Sequence, residues 1–133
     1  MKLEDRITVV SGGAQGIGCG IAQLFSNEGA QVTILDINNE TGSRTASSIA
    51  NTQFIHCDVA SKTAIDKSVE SIIDRHGKID VCVNNAGILR SGDVLDITEQ
   101  DFDEVLSVNL RGAFILSQAV ARHMAAAGIR KHY

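Results

Sequence analysis

The chain has 133 residues, 44% of them hydrophobic, and a formal net charge of −4. That is one domain with enough apolar material for a core, and no basic excess to neutralise nucleic-acid phosphates. No apolar run reaches the ~18 residues of a membrane-spanning helix, and the charged start Met1-Lys2-Leu3-Glu4-Asp5-Arg6 has no signal-peptide character, so a cytoplasmic protein is expected.

Strand and helix signals alternate along the chain. Residues 7–11 are a β-branched strand running into Gly12-Gly13-Ala14-Gln15-Gly16-Ile17-Gly18. Glycines at 12, 16 and 18 let the backbone pass tightly under a phosphate and open a helix without side chains in the way. That helix, 16–28 with Gly29 as its C-cap, puts Ile17, Ile21, Leu24 and Phe25 on one face. Residues 31–36 are the second strand, which ends at Asp36, 18 residues after Gly18. A carboxylate at that spacing is placed to bind the ribose hydroxyls of NAD. Residues 38–50 are a weaker helix, loosened by Gly42 and several Ser and Thr. Strand 53–57 follows. Helix 61–76 has Ser61 as N-cap, Ile65, Val69, Ile72 and Ile73 on one face, and Gly77 as C-cap.

The fourth strand spans 79–83 and is apolar apart from Asp80. After a loop, a long helix runs from about Glu99 to Ala127, with Thr98 and Asp101 as a capping pair. Phe102, Val105, Leu106, Leu110, Ala113, Phe114, Ser117 and Ala121 form its expected core-facing stripe. Val108, Ile115, Leu116, Ala119 and Val120 lie off that stripe and are assigned to a partner subunit, because a helix apolar on two sides is buried on two sides. The βαβαβαβα order demands parallel strands with right-handed crossovers. The expected fold is therefore α/β, a Rossmann-type doubly wound parallel sheet forming a single dinucleotide-binding domain over residues 1–133.

Cys19, Cys57 and Cys82 form no C-x-x-C and read as reduced, buried and hydrophobe-like. Cys19 has a second option as a thiolate in a first helical turn. None of His56, His76, His123 and His132 has a second ligand at metal-like spacing, so no metal is expected. His76, beside Gly77, reads as a helix C-terminal residue favoured by the dipole, and His123 as solvated.

Taken together, Ser11-Gly12-Gly13-Ala14-Gln15-Gly16-Ile17-Gly18, Asp36, Asp58-Val59, Asn84-Asn85-Ala86-Gly87 and Val108-Asn109-Leu110-Arg111-Gly112 resemble the short-chain dehydrogenase/reductase family. The match runs from about Leu3 to Gly128, with Ser11 where the family usually has Thr. The resemblance implies an NAD-dependent oxidoreductase that moves hydride between NAD and a small-molecule alcohol or ketone. It implies that Gly12, Gly16 and Gly18 line the pyrophosphate turn, with Ser11 and Ile17 among the cofactor contacts. Asp36 would accept from the adenosine ribose and repel a 2′-phosphate, so NAD is preferred over NADP. Gln15 and Ile37 agree, since NADP users in the family often carry a basic residue nearby. Asp58 would meet the adenine amino group with Val59 beside the ring, and Asn85, Ala86 and Gly87 would pass the nicotinamide ribose. Asn109 would hold a water of the catalytic proton relay and interrupt the long helix.

The family's chemistry also needs a Ser after a fifth strand, and a Tyr with a Lys four positions later. These residues are absent from the 133, which end at Gly128-Ile129-Arg130-Lys131-His132-Tyr133 where a fifth strand would begin. Tyr133 reads as an exposed terminal residue. The expectation is a domain incomplete at its C-terminal side, with strands in the order 3-2-1-4, that retains mainly cofactor binding. The alternative is a catalytically silent NAD-binding or subunit-pairing fragment. No nucleic-acid or membrane partner is expected. A homo-oligomer is, through the long helix or the open edge of the fourth strand.

Overall fold

The computed structural model describes residues 1–90 and 92–128. The expectation for Tyr133 therefore lies outside the described residues. Four strands, β1 (Ile7–Ser11), β2 (Gln31–Asp36), β3 (Thr52–His56) and β4 (Val81–Val83), alternate with helices α1 (Gly16–Asn27), α2 (Asn39–Ser48) and α3 (Lys62–His76). After β4 come α4 (Glu99–Leu106), a π-helical turn (Ser107–Gly112) and α5 (Ala113–Ala126). The strands pair in the order β3-β2-β1-β4, with all three pairings parallel.

Strand side chains alternate between two cores because successive residues point to opposite faces. Val9 and Leu35 pack with Ile65, Val69 and Ile72 of α3 and Leu116 and Val120 of α5. Val10, Val32 and Ile34 pack with Ala22 of α1 and Ala46 of α2 on the other face. Burying a Val, Leu or Ile side chain is worth about 1.5–3 kcal/mol, so the doubly covered sheet carries most of the stability. At the base of the sheet, Asp80 lies just ahead of β4. Its carboxylate accepts from the Ile7 amide at 2.8 Å and faces Lys78 at 3.1 Å and Arg6 at 3.8 Å. This fixes the β1–β4 register and shortens the expected 79–83 strand.

Two expected helix faces are corrected. In α1 the buried residues are Gly18, Ala22 and Ser26. Ile21 and Phe25 flank the core, whereas Ile17 and Leu24 are 78% and 58% exposed. Small residues face the sheet because the start of α1 presses against the glycine turn, and Ser26 donates to the Ala50 carbonyl at 2.6 Å. In the last helix the two stripes exchange roles. Leu116 and Val120 are fully buried, with Val108, Ile115 and Ala119 packed beside them. Phe102, Leu106, Leu110 and Phe114 stay exposed. Periodicity finds two apolar stripes but not which one meets the sheet, and the wider i→i+5 turn re-phases the helix.

Candidate functional site

The carboxyl ends of β1, β2 and β4, together with the segment after β3, surround a cleft of about 460 Å³. Gly12, Gln15, Gly16, Asp36, Ile37, Asp58, Val59, Asn85, Ala86 and Gly87 all line it, joined by Asn38, Ile88 and Val108. Among the described residues, no Lys, Arg or His lines the cleft. This is where open parallel sheets bind ligands, because the chain there leaves the strands in diverging loops.

The glycine turn is shaped for an anion. Gly16 has φ +59°, and a Cβ added to it would meet nothing within 4 Å. Gly18 is different: a Cβ there would collide with the Gly12 carbonyl and the Asn85 amide, so only a glycine lets α1 start this close to the strand ends. The helices α2, α3 and α4 are capped by the side chains of Asn38, Ser61 and Thr98, whereas Gln15 makes no side-chain cap bond at the start of α1. The first amides of α1 are thus left without a side-chain acceptor, at the positive end of the helix dipole. A phosphate group fits that cradle.

Asp36 is held rather than free. Its Oδ2 accepts from the Ala14 amide at 3.1 Å and its Oδ1 from the Asn38 amide at 3.0 Å. Each carboxylate oxygen keeps further acceptor capacity for ligand hydroxyls. Ser11 is buried and its hydroxyl is fully engaged. It accepts from the Asn85 and Ala86 amides at 3.1 and 3.0 Å and donates to the Val83 carbonyl at 3.4 Å. It therefore joins the ends of β1 and β4 instead of lining the cleft. Asn85 Nδ2 donates to the Gly12 carbonyl at 3.0 Å, a second tie between the same loops. Ile17 is exposed beside the turn and does not line the cleft.

Asn109 sits inside the π-turn, next to Val108 but not itself among the residues that line the cleft. Its Oδ1 accepts from the Ile88 amide at 2.8 Å and its Nδ2 donates to the Ile88 carbonyl at 2.9 Å. The side chain thereby fixes the segment that continues from Gly87. Arg111 Nη1 donates to the Ala60 carbonyl at 3.1 Å, drawing the π-turn onto the loop that carries Asp58.

This geometry has close counterparts. The family profile described as "short chain dehydrogenase" matches residues 6–130. This chain belongs to the short-chain dehydrogenase family. Short-chain dehydrogenase reductase 5 of Arabidopsis thaliana is 38% identical over 132 residues, covering 97% of this chain and 51% of that protein. A sorbitol dehydrogenase of Cereibacter sphaeroides is 37% identical over 129 residues, covering 96% of this chain and 50% of that protein. A mutant short-chain dehydrogenase/reductase of Serratia marcescens superposes with a TM-score of 0.88 at 31% identity, over 92% of this chain and 52% of that one. The chain spans about half the length of these relatives.

In this short-chain dehydrogenase the three cysteines are free, and the expectation that all are buried is corrected: Cys57 is buried, whereas Cys19 on α1 and Cys82 on β4 are only partly so. Burial pushes the Cys82 thiol up to about 11. Burial and the Asp58 charge raise Cys57, against a lowering hydrogen bond with Ser68. His76 is the last residue of α3 beside the Gly77 cap, as expected, and there burial and the neighbouring Arg75 cation lower its pKa from the ordinary imidazole value. Asn38 and Thr45 are site-shaping residues that the motifs do not mark, and Arg111 lies within the 108–112 motif without a role of its own having been read for it. The sequence signal that could have found Asn38 is its N-cap residue type ahead of α2.

Proposed function

We propose that this chain binds NAD in the cleft and forms the dinucleotide-binding half of an oxidoreductase that moves hydride between NAD and an alcohol or ketone. The observation that carries this reading is the uncapped start of α1 facing a cleft rimmed by the Asp36 carboxylate. NAD, when bound, supplies the hydride acceptor. The residues of this chain bind and orient it. The α1 amides and the turn at Gly12, Gly16 and Gly18 face the diphosphate, and Asp36 accepts from the adenosine ribose hydroxyls. Asp58 and Val59 flank the adenine, and Asn85, Ala86 and Gly87 flank the nicotinamide ribose. Asn109 holds that last segment through Ile88 and belongs to the proton-relay side of the site.

NAD is preferred over NADP. A 2′-phosphate would meet the Asp36 charge with no basic side chain among the described residues lining the cleft to offset it, at a cost on the order of 1–3 kcal/mol. One similar protein is a sorbitol dehydrogenase, which agrees with an alcohol or ketone as the substrate class. The exposed stripe of Phe102, Leu106, Leu110 and Phe114 and the outer edge of β4 are assigned to pairing with a second copy. Three free cysteines suit the reducing cytoplasm, and no helix among the described residues is long and apolar enough to cross a membrane.

Calorimetric titration with both nucleotides tests the reading. Saturable NAD binding tighter than NADP, with the gap narrowed in Asp36→Ala, is expected. Equal affinities or tighter NADP would refute the assignment of Asp36.

A further inference from the structure

The carboxylate that rims the cleft is held by a chain of bonds that begins on α2, outside the cleft lining. Thr45 lies in the middle of α2 and is half-buried. A threonine in a helix commonly bonds back to its own helix. Here its Oγ1 instead donates to the Ala14 carbonyl at 2.6 Å, across 31 residues of sequence. Ala14 is itself buried, and its amide donates to Asp36 Oδ2 at 3.1 Å. The same helix reaches Asp36 from its other end. The Asn38 amide donates to Oδ1 at 3.0 Å, while Asn38 Oδ1 caps α2 by accepting from Thr41 at 2.9 Å. Between them Gly42 packs flat against the Phe54 ring, which brings α2 close enough for Thr45 to reach the glycine turn.

We propose that Thr45 is a positioning residue for nucleotide discrimination: by bonding the Ala14 carbonyl it fixes residue 14, whose amide in the preceding peptide unit holds the Asp36 carboxylate in the orientation that accepts ribose hydroxyls. The proposal rests on the NAD reading above. Without the hydroxyl the Ala14 carbonyl is buried without that donor, and the turn relieves this by moving Ala14 as a residue. That movement carries its amide, which belongs to the preceding peptide unit, away from Oδ2, and the carboxylate is then held by the Asn38 amide alone. A mobile carboxylate loses affinity for the ribose diol but still repels a phosphate only on average, so the cost falls on NAD.

The test uses the full chain as wild type, Thr45→Val and Thr45→Ser, with two readouts. Calorimetric titration gives the NAD and NADP affinities. Amide hydrogen exchange gives the protection of Ala14. Thr45→Val should weaken NAD roughly tenfold and NADP by less than about twofold, so that discrimination narrows by at least about fivefold. The Ala14 amide should exchange faster, and Thr45→Ser should restore both. A purely structural threonine would lower the melting temperature and leave the NAD-to-NADP ratio unchanged. That result, or unchanged Ala14 exchange in Thr45→Val, would overturn the proposal while leaving the NAD reading intact. A wild type that binds neither nucleotide, or NADP more tightly, would overturn the NAD reading and this proposal with it. Slower-folding or poorly folded Thr45→Val material is distinguished by Thr45→Ser, whose Ala14 protection must match the wild type.

Discussion

Two glycines two residues apart in α1 make opposite demands. A Cβ on Gly18 would strike the Gly12 carbonyl and the Asn85 side chain, and backbone cannot move aside cheaply. Gly18→Ala should cost about 1–3 kcal/mol as overpacking and should disturb the turn itself. Gly20 has nothing within 4 Å of the added carbon, so Gly20→Ala should stabilise by about 0.5–1 kcal/mol through helix propensity. Urea melts of the two variants check this; the same sign for both would contradict the packing described. The cysteines add a pH signature. Burial keeps the folded Cys82 thiol protonated to about 11, above the ordinary value of 9.0. Unfolding at alkaline pH therefore releases a proton, and stability is present below pH 9 and lost as pH rises towards 11. Melts across that window should show the decline, and Cys82→Ala should flatten it.

At the scale of elements, the long C-terminal helix carries the clearest prediction. Phe102, Leu106, Leu110 and Phe114 follow one another at four-residue spacing on an exposed face beside a largely apolar hollow that also takes in Asp103 and Arg111. Self-association through this stripe should be weakened in Leu110→Glu, while Leu116→Glu should unfold the protein because Leu116 is in the core. Sedimentation velocity across a concentration series checks both. A sharp wild-type monomer at high micromolar concentration would remove the stripe as a pairing surface. The same helix marks the limit of what pattern reveals. Four strands, their order, and the caps at Ser61 and Thr98 were legible, because alternation of elements, N-cap chemistry and apolar runs are local signals. The facing of α1 and α5 was not, since it depends on how near a glycine turn or a π-turn lets each helix approach. Gly12, Gln15, Gly16, Asp36, Asp58, Val59, Asn85, Ala86 and Gly87 lie both in the family motifs and around the cleft, whereas Asn38 and Ile88 line it outside any motif. The bonds of Thr45 and Arg111 were not legible, because each acts through a backbone carbonyl far away in sequence.

At the scale of the whole molecule, the 133 residues hold a single tyrosine, Tyr133, and no Tyr-x-x-x-Lys pattern. Loss of a general acid/base costs ~10²–10⁴ in rate. A protein of these 133 residues should therefore bind NAD without oxidising secondary alcohols or reducing ketones, as followed by NADH absorbance. Turnover that survives Tyr133→Phe would place the catalytic groups elsewhere in the chain. The central claim is that the carboxyl edge of the sheet is a nucleotide site, and amide chemical-shift mapping of the chain titrated with NAD tests it most directly. Saturable shifts are predicted at Gly12, Gly16, Asp36, Asp58 and Gly87, with Leu106 and Leu110 on the outer stripe unmoved. An absence of shifts, or shifts confined to the outer face of α4 and α5, would contradict it.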